Sequence, residues 1–473
     1  MNKNLFKKVE DIFIIFCAFW GILFLFINPP FCASDETSHF YKMYGFTQGT
    51  FFYQKYKDVK DGGKEYAGLK IPRSILKVSR ANSYIWFNTD KKTSLSNTFH
   101  LSKVKLEPQN KHFFSFCIPS YTPISYFPAC IVLFVLKIFK VAPVIMMYAV
   151  RYVILLTYLS MIYLAIKITP VKKWLFFLCA TTPTAIYLAG AVNTDAIVTG
   201  YAFLLTAYVF YLAYSDKITK ITSKQLWIFS LLSILLAVCK FPYCLMIFLL
   251  SIVPKKKFEN PKLKWTVILG LLSILTLYTF FTIILNKFMT KGLLTVDEIL
   301  TARFAKHSQD AFMMLHSPLK LWHTLYGTFI FCGASYLSDS IAKFGWTDTS
   351  VPTYVSSAYL LILLLCGFFK DKDEPKINLS IWSRLLFILI FLLVTAITLF
   401  ASLSIFGTST WNGYDIILNF QGRYWIPMLP IIFICFSYNK FNINYKWFKL
   451  ITIATSSFLF FVCLVKILYR FYV

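Results

Sequence analysis

The sequence predicts an all-α integral membrane protein, a polytopic bundle of about 11 transmembrane helices. Three observations carry that reading. Of the 473 residues, 58% are hydrophobic and only 15% charged, a balance that fits the bilayer as main solvent and no soluble globular class. Apolar runs of spanning length recur along the chain. The short turns between them alternate between lysine-rich and lysine-poor, the pattern of cytoplasmic and opposite-side loops.

The first run, Ile12 to Ile27, leads into Asn28-Pro29-Pro30-Phe31, which is a poor small-residue cleavage site, so 11–28 reads as a retained helix. The apolar run 124–139 is different. With Lys3, Lys7 and Lys8 inside, parity with the later loops holds only if it does not cross, so 119–139 reads as a juxtamembrane or re-entrant segment. Spans follow at 146–167, 173–190, 195–214, 225–239, 241–254, 263–286, 352–370, 383–406, 423–437 and 448–468. Lys172-Lys173, Lys217, Lys220, Lys224, Lys255-Lys256-Lys257, Lys370, Lys372, Lys440, Lys446 and Lys449 mark the cytoplasmic turns. Lys240-Phe241-Pro242 reads as a tight outer corner. The amino terminus is then inside and the carboxyl terminus outside.

This leaves one membrane domain, 1–473, with outer regions 29–145 and 287–351 and a short outer loop 407–422. The stretch 50–115 lacks strong periodicity and reads as short surface helices and irregular loop. The formal charge of +27 sits largely in short loops, which implies contact with membrane lipids and no nucleic acid. Eleven cysteines show no CxxC spacing and are read as free, buried thiols; Cys32 and Cys117, which bracket the first outer loop, are the pair placed for a disulfide.

Chemistry concentrates where the first helix ends. Asp35-Glu36-x-x-His39 sets two carboxylates and an imidazole at the mouth of a span, where ionisable groups are costly without a use. They are candidates for general base catalysis or for holding a divalent cation such as Mg or Mn. The competing reading is a helix cap, since Ser34, Asp35, Glu36 and Thr37 suit a first turn. Glu36 and His39, three apart, would share a helical face.

Arg423, before Tyr424 and Trp425, begins a span at its outer end. It is read either as an interfacial anchor or as a fork for a phosphate. Lys240 and Arg151 carry the same two readings. Asn193-Thr194-Asp195 lies at another outer corner, as an Asx cap or as a polar contribution to the site. The prolines around Tyr121 and Tyr126 break helix geometry at membrane depth, which is tolerated where backbone lines a cavity or is covered by protein. No Walker loop, dinucleotide glycine motif or zinc spacing is present.

Six motifs occur in order: Pro29-Pro30 with Asp35-Glu36-x-x-His39; Tyr121-x-Pro123-x-x-Tyr126; Pro183 then Asn193-x-Asp195; Ala237-x-x-Lys240-x-Pro242-Tyr243; Phe344-Gly345-Trp346-x-Asp348 before Pro352; and Gly422-Arg423-Tyr424-x-x-Pro427. Together, over about residues 10–435, they resemble a bacterial polytopic family, domain of unknown function 2142. That family is similar in layout to the GT-C glycosyltransferases. The resemblance implies a multi-pass protein of the bacterial cytoplasmic (inner) membrane that moves a sugar from a polyprenyl-phosphate donor to a glycan or lipid acceptor on the outer face.

It implies further that Asp35 is the base, with Glu36 and His39 supporting it or ligating a metal, and that Arg423 holds phosphate, with Lys240 and Arg151 as further candidates. Tyr121, Tyr126, Asn193, Asp195, Trp346, Asp348 and Tyr424 would then line the substrate cavity. A donor-synthesising enzyme and a flippase are the implied partners. The rival expectations are a lipid-linked sugar transporter or flippase, and a non-catalytic membrane subunit of a surface-polysaccharide pathway.

Overall fold

The computed structural model describes residues 8–52, 54–58, 64–115, 121–290, 298–371, 374–438, 442–443 and 445–473. Helix α1 (Val9–Ile27) leads into α2 (Glu36–Phe46), and after a sheet-containing segment come α5 (Phe127–Ile138) and α6 (Pro143–Ile168). The inner part of the bundle is α7 (Lys173–Ala180), α8 (Pro183–Ala189), α9 (Asp195–Tyr214) and α10 (Ser223–Cys239). Then follow α11 (Pro261–Thr290), α12 (Glu298–Leu315), α13 (Pro318–Ile341), α14 (Thr353–Phe368), α15 (Ile381–Phe406), α16 (Leu429–Ile434) and α17 (Tyr445–Tyr472).

Among the described residues, six helices are long and apolar enough to cross a membrane: those beginning at Val9, Pro143, Asp195, Pro261, Ile381 and Trp447. Helix α9 is the axis of the bundle, with 83% of its apolar window buried, whereas the α11 window is 17% buried. Leu269, Ile274, Leu277, Phe280 and Phe281 of α11 are exposed apolar side chains on a scale that a soluble monomer does not sustain. Small residues let the central helices approach closely: Gly200 of α9 lies against Met161 of α6, and Gly21 of α1 against Leu155.

Several expected spans are broken or short, and proline is the cause in two of them. The run 173–190 divides into α7 and α8 because Pro183 has no N–H to continue a helix and pushes Thr182 out of the helical region. Thr182 instead caps α8, accepting from Ala185 N at 3.2 Å. Likewise 423–437 is a 3₁₀ turn, Gly422–Met428, followed by the six residues of α16, with Pro427 and Pro430 at the break. The run after Lys240 is 3₁₀ over Phe241–Ile252, a winding whose period the apolar pattern does not distinguish from α.

The segment between α1 and α6 is not wholly helical. Alongside α3 (Arg73–Arg80) and α4 (Leu95–Ser102) it forms an antiparallel sheet of β1 (Gln54–Asp58), β2 (Lys64–Pro72) and β3 (Lys111–Ser115). Tyr56 pairs with Tyr66 and Ile71 with His112. Leu69 and Ile71 are buried while Lys70 between them is exposed, a period-two signal only three residues long. Cys32 is buried and free, and Cys117 lies outside the described residues.

Helix α17 returns to the end of the bundle where α1 finishes. Tyr472 Oη donates to Ile27 O at 3.0 Å, Thr93 N to Phe471 O at 2.8 Å, and Lys92 Nζ to Tyr469 O at 2.7 Å. Helices α1 and α17 therefore run in the same direction.

Candidate functional site

Asp35 and Glu36 are adjacent and have opposite fates. Asp35 is left-handed, at φ 61° and ψ 3°, a conformation that short polar side chains tolerate better than most. That twist turns its carboxylate away from α2, so it caps nothing. Ser34 does not cap α2 either, since its hydroxyl donates to Gly345 O at 3.0 Å. Glu36 points into the protein and is fully buried.

Glu36 meets Arg151, which is also fully buried, about two turns into α6 rather than at its end. Arg151 Nε donates to Glu36 Oε1 at 2.7 Å and Nη2 to Oε2 at 2.6 Å. The three remaining donors go to Leu25 O (3.0 Å), Asn28 O (2.7 Å) and Pro29 O (3.0 Å), carbonyls in the last turn of α1 and just beyond it. Glu36 also accepts from Val192 N at 2.9 Å and Ala33 N at 3.4 Å. All five guanidinium donors and both carboxylate oxygens are used inside the fold, so this pair fixes the Asn28–Asp35 turn and offers nothing to a ligand.

Asp35 instead opens a chain of alternating charges. Arg423 Nη2, on the 3₁₀ turn, lies 3.0 Å from Asp35 Oδ2. Its Nε approaches Asp195 Oδ2 at 3.2 Å, close enough for an ion pair though not aligned as a hydrogen bond. Asp195, the first residue of α9, accepts from Lys240 Nζ at 3.2 Å. Lys240 Nζ in turn stands 3.8 Å from the Tyr424 ring centre, a close cation–π contact. Asp35 is the accessible end, its side chain 46% exposed against 9% for Arg423.

Burial opposes the charge on Lys240, and the neighbouring Asp195 overrides it, so its pKa lies above the usual lysine range. Interfacial anchoring does not describe Lys240 or Arg423, because both head groups turn inward.

His39 flanks this chain without entering it. Its Nδ1 lies 2.6 Å from Tyr126 Oη, and its ring is 5.5 Å from that of Tyr121. Burial pushes its pKa down to about 4, outweighing the upward pull of Asp35 and Asp195; Arg423 and Lys240 add to the lowering. At neutral pH it is an uncharged partner of Tyr126. Glu36 and His39 thus diverge despite their spacing, and no group of three metal-ligating side chains occurs among the described residues. With Glu36 closed on Arg151, the set Asp35, Glu36 and His39 does not fit a divalent cation.

Three other expected cavity residues are also engaged elsewhere. Asn193 is the Asx cap of α9, its Oδ1 accepting from Asp195 N at 2.9 Å while Nδ2 donates to Leu188 O at 2.7 Å. Asp348 accepts from Arg470 Nη2 at 2.6 Å, tying α17 to this end of the bundle. Trp346 packs on Trp86, ring centres 4.9 Å apart.

The cavity itself lies on the other side of Arg423. Its volume is about 170 Å³, and it is lined by Ser34, Thr184, Tyr187, Asp339, Lys343, Phe344, Asn419, Phe420, Gln421 and Arg423. Asp339, at the end of α13, was not singled out by sequence; its signal was only a lone acid in an apolar stretch. Gly422 brings it to the site, since the backbone there lies flush against Tyr336, Asp339 and Ser340 with no room for a Cβ. Asp339 pairs with Lys343 at 3.5 Å, and burial raises its pKa despite that cation.

A family model described as "Predicted membrane protein (DUF2142)" matches residues 17–432, so the chain belongs to that family. No curated protein and no solved structure matches it.

Proposed function

We propose that this member of the predicted membrane protein family is an inverting glycosyltransferase of GT-C type. It acts on the outer face of a bacterial cytoplasmic membrane, with its amino terminus on the cytoplasmic side. The donor is a sugar on a polyprenyl phosphate and the acceptor a glycan or lipid hydroxyl. A donor-synthesising enzyme and a flippase supply it. The observation that carries this reading is the Asp35–Arg423 pair: an accessible carboxylate at a helix mouth, held by a guanidinium that also lines the cavity.

In this reading the donor phosphate takes up donors of Arg423, with Lys240 behind it, and Asp35 is released from its ion pair. Asp35 then accepts the proton of the acceptor hydroxyl as that oxygen bonds to the anomeric carbon from the face opposite the phosphate. The bond from carbon to phosphate oxygen breaks, and its electron pair leaves with the polyprenyl phosphate. Arg423 stabilises the charge that develops there.

The test compares purified wild type with Asp35→Asn, given short-chain polyprenyl-phosphate sugars and a crude acceptor pool, and reads released polyprenyl phosphate by mass spectrometry. Loss of a general base lowers the rate by about 10²- to 10⁴-fold. Equal release by a folded variant overturns the role of Asp35, and silence from folded wild type across the donor panel overturns transfer.

A further inference from the structure

Resting on that reading, we infer that the cavity beside Arg423 receives the donor's sugar as a single pyranose ring, and that Asp339 and Gln421 read its hydroxyl groups. Three features point to this ligand class. The walls combine aromatic rings, Tyr187, Phe344 and Phe420, with hydrogen-bonding groups. A pyranose has the same two-sided character, apolar C–H faces and a rim of hydroxyls. A purely anionic ligand would use neither the rings nor the carboxylate of Asp339.

Gln421 Oε1 is shut off from solvent and has no hydrogen-bond partner among the described residues, a costly state for an amide oxygen that a hydroxyl donor from a ligand relieves. Asp339 is half-buried with its side chain 24% exposed, and its one cationic partner among the described residues, Lys343, stands at 3.5 Å, which leaves lone pairs for two further donors. The location also fits. Gly422 holds Asp339 against the turn that carries Arg423, so a sugar in the cavity is continuous with a phosphate on the guanidinium. With about 170 Å³ available, the space suits one ring.

Direct binding separates this proposal from the catalytic one. Affinities of the purified protein are measured for farnesyl phosphate and for farnesyl-phosphate glucose, galactose, mannose and N-acetylglucosamine; the ratio of each to farnesyl phosphate alone is the sugar's contribution. Wild type is expected to bind at least one of the four about 10- to 100-fold tighter than farnesyl phosphate. Asp339→Asn and Gln421→Ala should each reduce that ratio severalfold or more while affinity for farnesyl phosphate itself stays put. Asp35→Asn should keep the ratio, whatever it does to turnover.

Should Asp339→Asn fail to fold, by thermal melting, Gln421→Ala carries the test alone. A ratio that survives in the folded variants, or no sugar contribution from any of the four in wild type, overturns the proposal.

Discussion

Asp35 and Glu36 share a peptide bond, yet one carboxylate stays accessible and faces Arg423 at 3.0 Å while the other is sealed onto Arg151 at 2.6 Å. The left-handed turn at Asp35 produces this division. It separates the carboxylate that fixes the turn from the one that stays accessible.

Stability should divide along the same line. Glu36→Gln leaves a buried guanidinium without its counter-charge and is expected to cost about 3–5 kcal/mol, whereas Asp35→Asn, at a half-exposed side chain, is expected to cost less than about 1 kcal/mol. Thermal melting in detergent reads both. A Glu36→Gln protein as stable as wild type would contradict the clamp on α1.

The pH dependence of stability should carry the signature of His39. Its folded pKa of about 4 lies below the ordinary value of 6.5, so the unfolded chain binds more protons between them. The contribution to stability is complete above about pH 6.5 and is lost as pH falls toward 4, on the order of 3 kcal/mol in all at ~1.4 kcal/mol per pH unit. Melting curves from pH 7.5 to 5 should fall for wild type and flatten for His39→Gln; equal slopes would place the dependence elsewhere.

Arg423→Lys retains a positive charge and loses the fork that reaches both Asp35 and Asp195. Weakened donor use is expected, about tenfold or more in apparent affinity, with expression unchanged. The same KM for donor in both proteins would leave Arg423 a purely internal counter-ion.

Gly422→Ala places a methyl group against the backbone of Tyr336 and Ser340, which cannot yield as a flexible side chain does. A loss of about 1–3 kcal/mol is expected, together with reduced transfer, because Asp339 and Arg423 are pushed apart. Transfer at the wild-type rate would show that their spacing does not matter.

How much of this was legible in the sequence depends on the range of each interaction. The spans at α1, α6, α9, α11, α15 and α17 follow from apolar length alone. The ordered motifs marked Asp35, Asp195, Lys240 and Arg423, which do come together. Composition and spacing could not say that Arg151, with the same two readings as Lys240, would be enclosed by three carbonyls and Glu36. Nor could they find Asp339, whose role depends on Gly422 lying flush against α13 from 83 residues away in sequence. The sheet β1–β2–β3 escaped because its buried positions alternate too briefly for period two to emerge.

The pairing of Asp35 with Arg423 spans 388 residues, and Arg470 reaches back 385 to Ile85. During synthesis at about 5–20 residues per second, the acidic turn therefore waits roughly 20–80 s for its basic partner to be made. Through that interval Asp35 stands beyond the newly inserted α1 without Arg423. The Asp35–Arg423 pairing is thus a late event in biogenesis, and a nascent chain halted before Arg423 has the helices of the bundle's centre without the charge that Asp35 faces.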